Sequence, residues 1–126
     1  MKVTFSALAA LALAAAAIST PETAEAQGWE RVITEQQFRD RIVDRRIVTP
    51  EGNSFTPHAD GSVTGQWGGQ PMVGGWQWYQ GMWCRNVRVG QSPEIGTDCQ
   101  LIELLGNEIR STRDQGRGEP GVGHLE

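Results

Sequence analysis

The residues best equipped for chemistry in this chain lie together between Gly75 and Arg85, in the run GWQWYQGMWCR. That run holds three of the five tryptophans, the only tyrosine and an adjacent cysteine–arginine pair. In an extended strand, successive side chains point to opposite faces. Trp76 and Trp78 then share one face, with Gln77 and Tyr79 on the other. Past a turn at Gln80-Gly81, Trp83, Arg85, Val87 and Val89 share a face opposite Cys84, Asn86 and Arg88. In the next apolar run, Gln100, Ile102 and Leu104 alternate with Cys99, Leu101 and Glu103. With Trp83, Val87, Ile102 and Leu104 as an inner face, Arg85 points inward beside them. A guanidinium does not shed its proton, so a buried one needs an anionic partner. One partner is the carboxylate or phosphate of a small ligand, with Trp76, Trp78, Trp83 and Gln100 completing the site. The alternatives are an internal ion pair with Asp98 or Glu103, or simple stacking of Arg85 on tryptophan.

Enzyme chemistry finds little to work with. His58 and His124 are the only histidines. No His, Cys and carboxylate cluster has zinc spacing, and no H-E-x-x-H is present. Asp60 lies near His58, but Asp60-Gly61 is already explained as a hairpin turn, and no activated nucleophile accompanies the pair. The glycines at 65, 68 and 69 precede no helix whose N-terminus would hold a phosphate. No catalytic residue, metal site or cofactor is implied.

These residues need a scaffold, and the pattern predicts one. Residues 34–45, TEQQFRDRIVDR, read as a helix with Thr34 as cap, Gln37 completing a capping box, and Phe38, Ile42 and Val43 as its apolar stripe. Short strands follow at 46–49, 54–57, 62–67, 72–79, 82–89, 98–105 and 108–112, separated by turn residues. The expected fold class is α+β: one N-terminal helix packed on a curved antiparallel β-meander, either a half-barrel or a small barrel. From Asp114 onward the chain is rich in glycine and charge, and 114–126 reads as a disordered tail.

Lys2, an Ala/Leu run from Ala7 to Ile18 and Ala24-Glu25-Ala26 read as a secretory signal peptide cleaved after Ala26. The apolar run falls short of the roughly 20 residues that span a bilayer. The expected organisation is a signal peptide at 1–26, one domain at 27–113 and the tail, in a periplasmic or secreted protein with no membrane insertion after cleavage. In an oxidising compartment Cys84 and Cys99 read as one disulfide. The mature chain carries ten arginines against thirteen carboxylates and no lysine. Without a basic cluster it has no electrostatic footprint for nucleic acid.

The stretch GGWQWYQGMWCRNVRVG…IGTDCQLIE…GNEIRSTRDQGRG resembles a family of small exported proteobacterial proteins. Their shared pattern is G-x-W-x-W-x-x-G-x-x-C-R, then D/N-C-Q, then D-x-G-x-G. It falls here on Gly74 or Gly75, Trp76, Trp78, Gly81, Cys84, Arg85, Cys99, Gln100, Arg110, Asp114, Gly116 and Gly118. The resemblance covers nearly all the mature chain and implies fold and compartment rather than a reaction. Some members carry the label dihydrodipicolinate reductase. That activity needs a nucleotide-binding βαβ unit with a glycine fingerprint, and none is legible here.

Two functional readings follow. The first is a non-enzymatic binding or accessory module holding a small anionic, partly apolar ligand at Arg85. The second is a structural or interaction protein, an inhibitor or a partner of an envelope protein, with a filled core and an active outer surface.

Overall fold

The computed structural model describes residues 28–126; the signal peptide expected at 1–26 lies outside them. The elements in chain order are β1 (Glu30–Arg31), α1 (Glu35–Arg41), β2 (Ile47–Val48), β3 (Ser54–Pro57), β4 (Ser62–Trp67), β5 (Gln70–Tyr79), β6 (Met82–Val89), β7 (Asp98–Leu105), β8 (Glu108–Thr112) and β9 (Pro120–Leu125). Strands β2 to β9 each pair antiparallel with the next, and β9 returns to pair with β2. The result is a closed eight-stranded up-and-down barrel, with β1 added along the second half of β7. Among the described residues no helix is long and apolar enough to cross a membrane.

Helix α1 forms where its capping box lies. Thr34 Oγ1 accepts from the Gln37 backbone N–H, and Gln37 Oε1 accepts from the backbone of Thr34. It is shorter than the pattern over 34–45 suggests. The N–H groups of Ile42 and Val43 both point to the Phe38 carbonyl, and Asp44 takes a left-handed φ of 64°. Phe38 is buried at 1 % exposure, with its ring centroid 5.1 Å from Trp76, 5.2 Å from Trp78 and 6.0 Å from Trp83. The helix therefore plugs one end of the barrel.

Two inward glycines let neighbouring strands approach closely. A Cβ at Gly65 would stand 2.2 Å from the Ser54 carbonyl oxygen, and one at Gly74 2.1 Å from that of Asn86. Only glycine fits such approaches, which are how small barrels bend their strands.

The tail expected at 114–126 is a correction. Asp114–Gly116 form a single 3₁₀ turn, and β9 closes the barrel through five residue pairs with β8 and two with β2. Low hydrophobicity concealed this strand, because two of its inward positions are Gly121 and Gly123. A Cβ at Gly123 would meet Ile47 Cγ2 at 2.8 Å, so the absent side chain is what permits the packing. Leu125 supplies the apolar anchor at 2 % exposure, and the backbone groups find partners on both sides.

Candidate functional site

Strands β6 and β7 pair through only three positions: Trp83 with Gln100, Cys84 with Cys99, and Arg85 with Asp98. The middle pair is the disulfide expected between Cys84 and Cys99. It faces away from the barrel axis, and the residues on either side of it face in. Strand β6 runs without a bulge against β5, so the alternation holds and Arg85 lies inside with Trp83 and Val87.

Arg85 is 7 % exposed. Of the two internal carboxylates considered for it, Asp98 is the partner, with Oδ2 3.7 Å from Arg85 Nη2. Glu103 turns outward and grips Arg110 through two bonds of 3.0 and 2.9 Å, while Arg110 also stacks on Trp29. Asp98 is held in place by other donors. Its Oδ2 accepts from Gln100 Nε2 at 2.9 Å, and its Oδ1 accepts from the Asp114 backbone N–H at 2.9 Å. At 3.7 Å it offsets the charge of Arg85 without making a hydrogen bond. Burial pushes the Arg85 pKa down, Asp98 opposes that shift, and the positive charge of Arg113 adds to it. Trp83 Nε1 is likewise buried with no hydrogen-bond partner among the described residues.

These groups face a hollow. The half of the barrel away from α1 encloses about 760 Å³ and opens between the β2–β3, β6–β7 and β8–β9 connections, at residues such as Pro50, Ile95 and Glu119. Small-molecule pockets typically measure roughly 300–1,000 Å³, and eight strands give a barrel just wide enough to hold one such ligand. Most of the wall is apolar, with Phe55, Val63, Met72, Val87 and Val89 prominent. The polar side is narrow and lies on three adjacent strands: Arg85 on β6, Gln100 on β7, and Ser111 on β8, with Arg113 just beyond. Glu51 and Glu119 also line the hollow, toward its mouth.

Of the five ligand-site candidates, the structure brings Arg85, Trp83 and Gln100 together in this hollow. Trp76 and Trp78 share the inner face but belong to the plugged end. Trp76 is 5 % exposed, donates from Nε1 to the His58 carbonyl at 2.9 Å, packs on Phe38 and lies under the Arg39 guanidinium. Trp78 packs on Phe38. Trp83 bridges the two regions, with its ring 5.8 Å from that of Phe55 and nearly parallel to it. Sequence reasoning missed Phe55, Ser111 and Arg113. Ser111 and Arg113 carried a signal, since both continue the alternation that buries Ile109.

Asp60 does not orient His58; it accepts from the Ser62 backbone N–H and hydroxyl. His58 instead bonds Thr64 Oγ1 at 2.6 Å and lies 3.7 Å from Asp44. Thr64 is exposed on the outer wall. Among the described residues no three His, Cys, Asp or Glu side chains gather as a metal site. No family model, curated protein or solved structure matches the chain.

Proposed function

We propose that this is an exported, non-enzymatic binding or accessory protein whose barrel holds a small, partly apolar, anionic ligand against Arg85. The observation that carries this reading is a buried guanidinium that makes no hydrogen bond among the described residues and faces a mostly apolar hollow of about 760 Å³. A guanidinium on the wall of a mostly apolar hollow is placed to donate to a ligand oxyanion, and such charge-assisted bonds are the strong ones. Export is supported by the leader-like sequence at 1–26, the resemblance to small exported proteobacterial proteins, and the disulfide. A reductase activity of the dihydrodipicolinate type has no support, because every strand pairing is antiparallel and no βαβ unit is present among the described residues. The alternative, a structural or interaction protein with a filled core and an active outer surface, is less favoured beside a hollow of this size.

The test is binding of the neutral fluorophore N-phenyl-1-naphthylamine to the oxidised protein, with native mass spectrometry reporting stoichiometry. A Gly121→Leu variant supplies the control. Gly121 pairs with inward-facing Ser111, and a Cβ there meets only the Ser111 carbonyl oxygen, at 4.0 Å. The leucine therefore projects into the mouth without strain. One probe per chain is expected, with binding weakened at least about tenfold in the variant at unchanged melting temperature, the loss of roughly 1.4 kcal/mol of contact. Equal binding by both proteins would place the probe outside the barrel and refute the proposal.

A further inference from the structure

The mouth of the hollow contains a second arginine, and an otherwise unexplained motif holds it there. Arg113 follows β8 with an extended backbone (φ −67°, ψ 173°), so it stays on the inward face of Ser111. It stands one step past the Leu101–Thr112 pair, which brings it alongside Gln100. The chain then turns through Asp114, Gln115 and Gly116, all at positive φ. The Arg113 carbonyl accepts from the N–H groups of both Gly116 (3.1 Å) and Gly118 (2.9 Å). A Cβ at Gly118 would stand 3.1 Å from that carbonyl oxygen, so glycine secures the close approach. On the other side, Asp98 Oδ1 holds the Asp114 N–H. The D-x-G-x-G run thus fixes the backbone of Arg113 at the cavity wall.

Charge then selects the ligand. Asp98 balances Arg85, whereas Arg113 makes no ion pair within 4 Å among the described residues, although Glu51 and Glu119 share the mouth. Glu51 and Glu119 offset the two arginines over the lining as a whole, so what favours an anion is local: the wall of β6 to β8 gathers donors from Arg85, Gln100, Ser111 and Arg113, with Asp98 as the carboxylate paired with Arg85 there. We infer that Arg85 and Arg113 form a two-guanidinium clamp, flanking Gln100, for the single oxyanion of a monoanionic ligand whose apolar body fills the rest of the barrel. This inference rests on the binding function proposed above and adds the ligand's head group and the residue that selects it. Burial is the main cause that lowers the Arg85 pKa, and the positive charge of Arg113 lowers it a little further, in keeping with the two guanidiniums lining one hollow. Charge-assisted bonds to an oxyanion are roughly twice as strong as neutral ones.

The experiment compares N-phenyl-1-naphthylamine with 8-anilinonaphthalene-1-sulfonate, the same skeleton carrying one oxyanion, in the wild type and in Arg113→Gln and Arg117→Gln. Arg117 is exposed and pairs with Asp114 instead of lining the hollow. The sulfonate is expected to bind about tenfold tighter than its parent. Arg113→Gln should abolish most of that preference while leaving the parent within about twofold, and Arg117→Gln should change neither. The inference fails if the two probes bind the wild type equally, if Arg113→Gln weakens both alike, or if Arg117→Gln matches Arg113→Gln. Failure of both probes to bind would overturn the binding function itself, and the clamp with it.

Discussion

Arg85 behaves unlike the usual buried member of an ion pair. Removing one partner of a tight buried pair typically costs about 3–5 kcal/mol, because the other charge is stranded. Here the partner would not be stranded, since Asp98 keeps its bonds from Gln100 and the Asp114 backbone and remains 23 % exposed. Arg85→Met is therefore expected to cost no more than about 2 kcal/mol in a denaturant titration while it removes the preference for the sulfonate probe. A loss of 4 kcal/mol or more would mark Arg85 as a structural ion-pair member. Its inward direction was legible in the sequence only on condition that no bulge interrupts β6, and the register of β6 against β5 meets that condition. Its depth was not legible. Alternation assigns faces and not heights, so Trp76 and Trp78 looked equivalent to Trp83. Their place at the plugged end is decided by where Phe38 docks, a long-range contact that strand periodicity does not carry.

At the scale of elements, the strands from β3 to β8 were readable from turn chemistry. Asp60-Gly61, Gln80-Gly81 and Gly106-Asn107 each mark the end of a hairpin, and the residues between them alternate. Strand β9 was not readable, because its inward glycines carry no hydrophobic signal and one of its two partners, β2, lies far away in sequence. Glycine plays the corresponding part in β4 and β5, where Gly65 and Gly74 let the wall bend. A methyl group at Gly74 would collide with the backbone of Asn86 and Val87 rather than with a flexible side chain. Gly74→Ala should accordingly destabilise the barrel by about 3 kcal/mol, at the upper end of overpacking effects, and lower the denaturant midpoint. Gly75→Ala, one residue on, meets only the Gly61 carbonyl oxygen at 3.4 Å and should be milder.

At the scale of the molecule, the eight strands enclose more space than the side chains fill. Large residues crowd the α1 end, where Phe38, Trp76, Trp78 and Trp83 pack together. The other end is lined by Phe55 and Trp67 together with smaller aliphatic groups and glycine on β9. The sequence supported a half-barrel as well as a barrel, since closure depends on the last seven residues and hollowness on how volumes sum around a ring. The wall carrying the polar groups has the shortest ladder of the β4–β8 run: three residue pairs join β6 to β7, against eight joining β5 to β6. A covalent link across the middle pair compensates. Reduction of Cys84–Cys99 should lower stability by roughly 3 kcal/mol, the chain-entropy value for a loop of this length. At temperatures where the reduced protein is still folded, it should weaken sulfonate binding at least about fivefold, and undiminished binding would show that the wall stands without its link. Arg85 and Asp98 adjoin the bridge on one side, Trp83 and Gln100 on the other. On the proposed binding function, a copy held reduced among cytosolic thiols would keep every ligand-facing group yet bind several-fold more weakly than its oxidised counterpart.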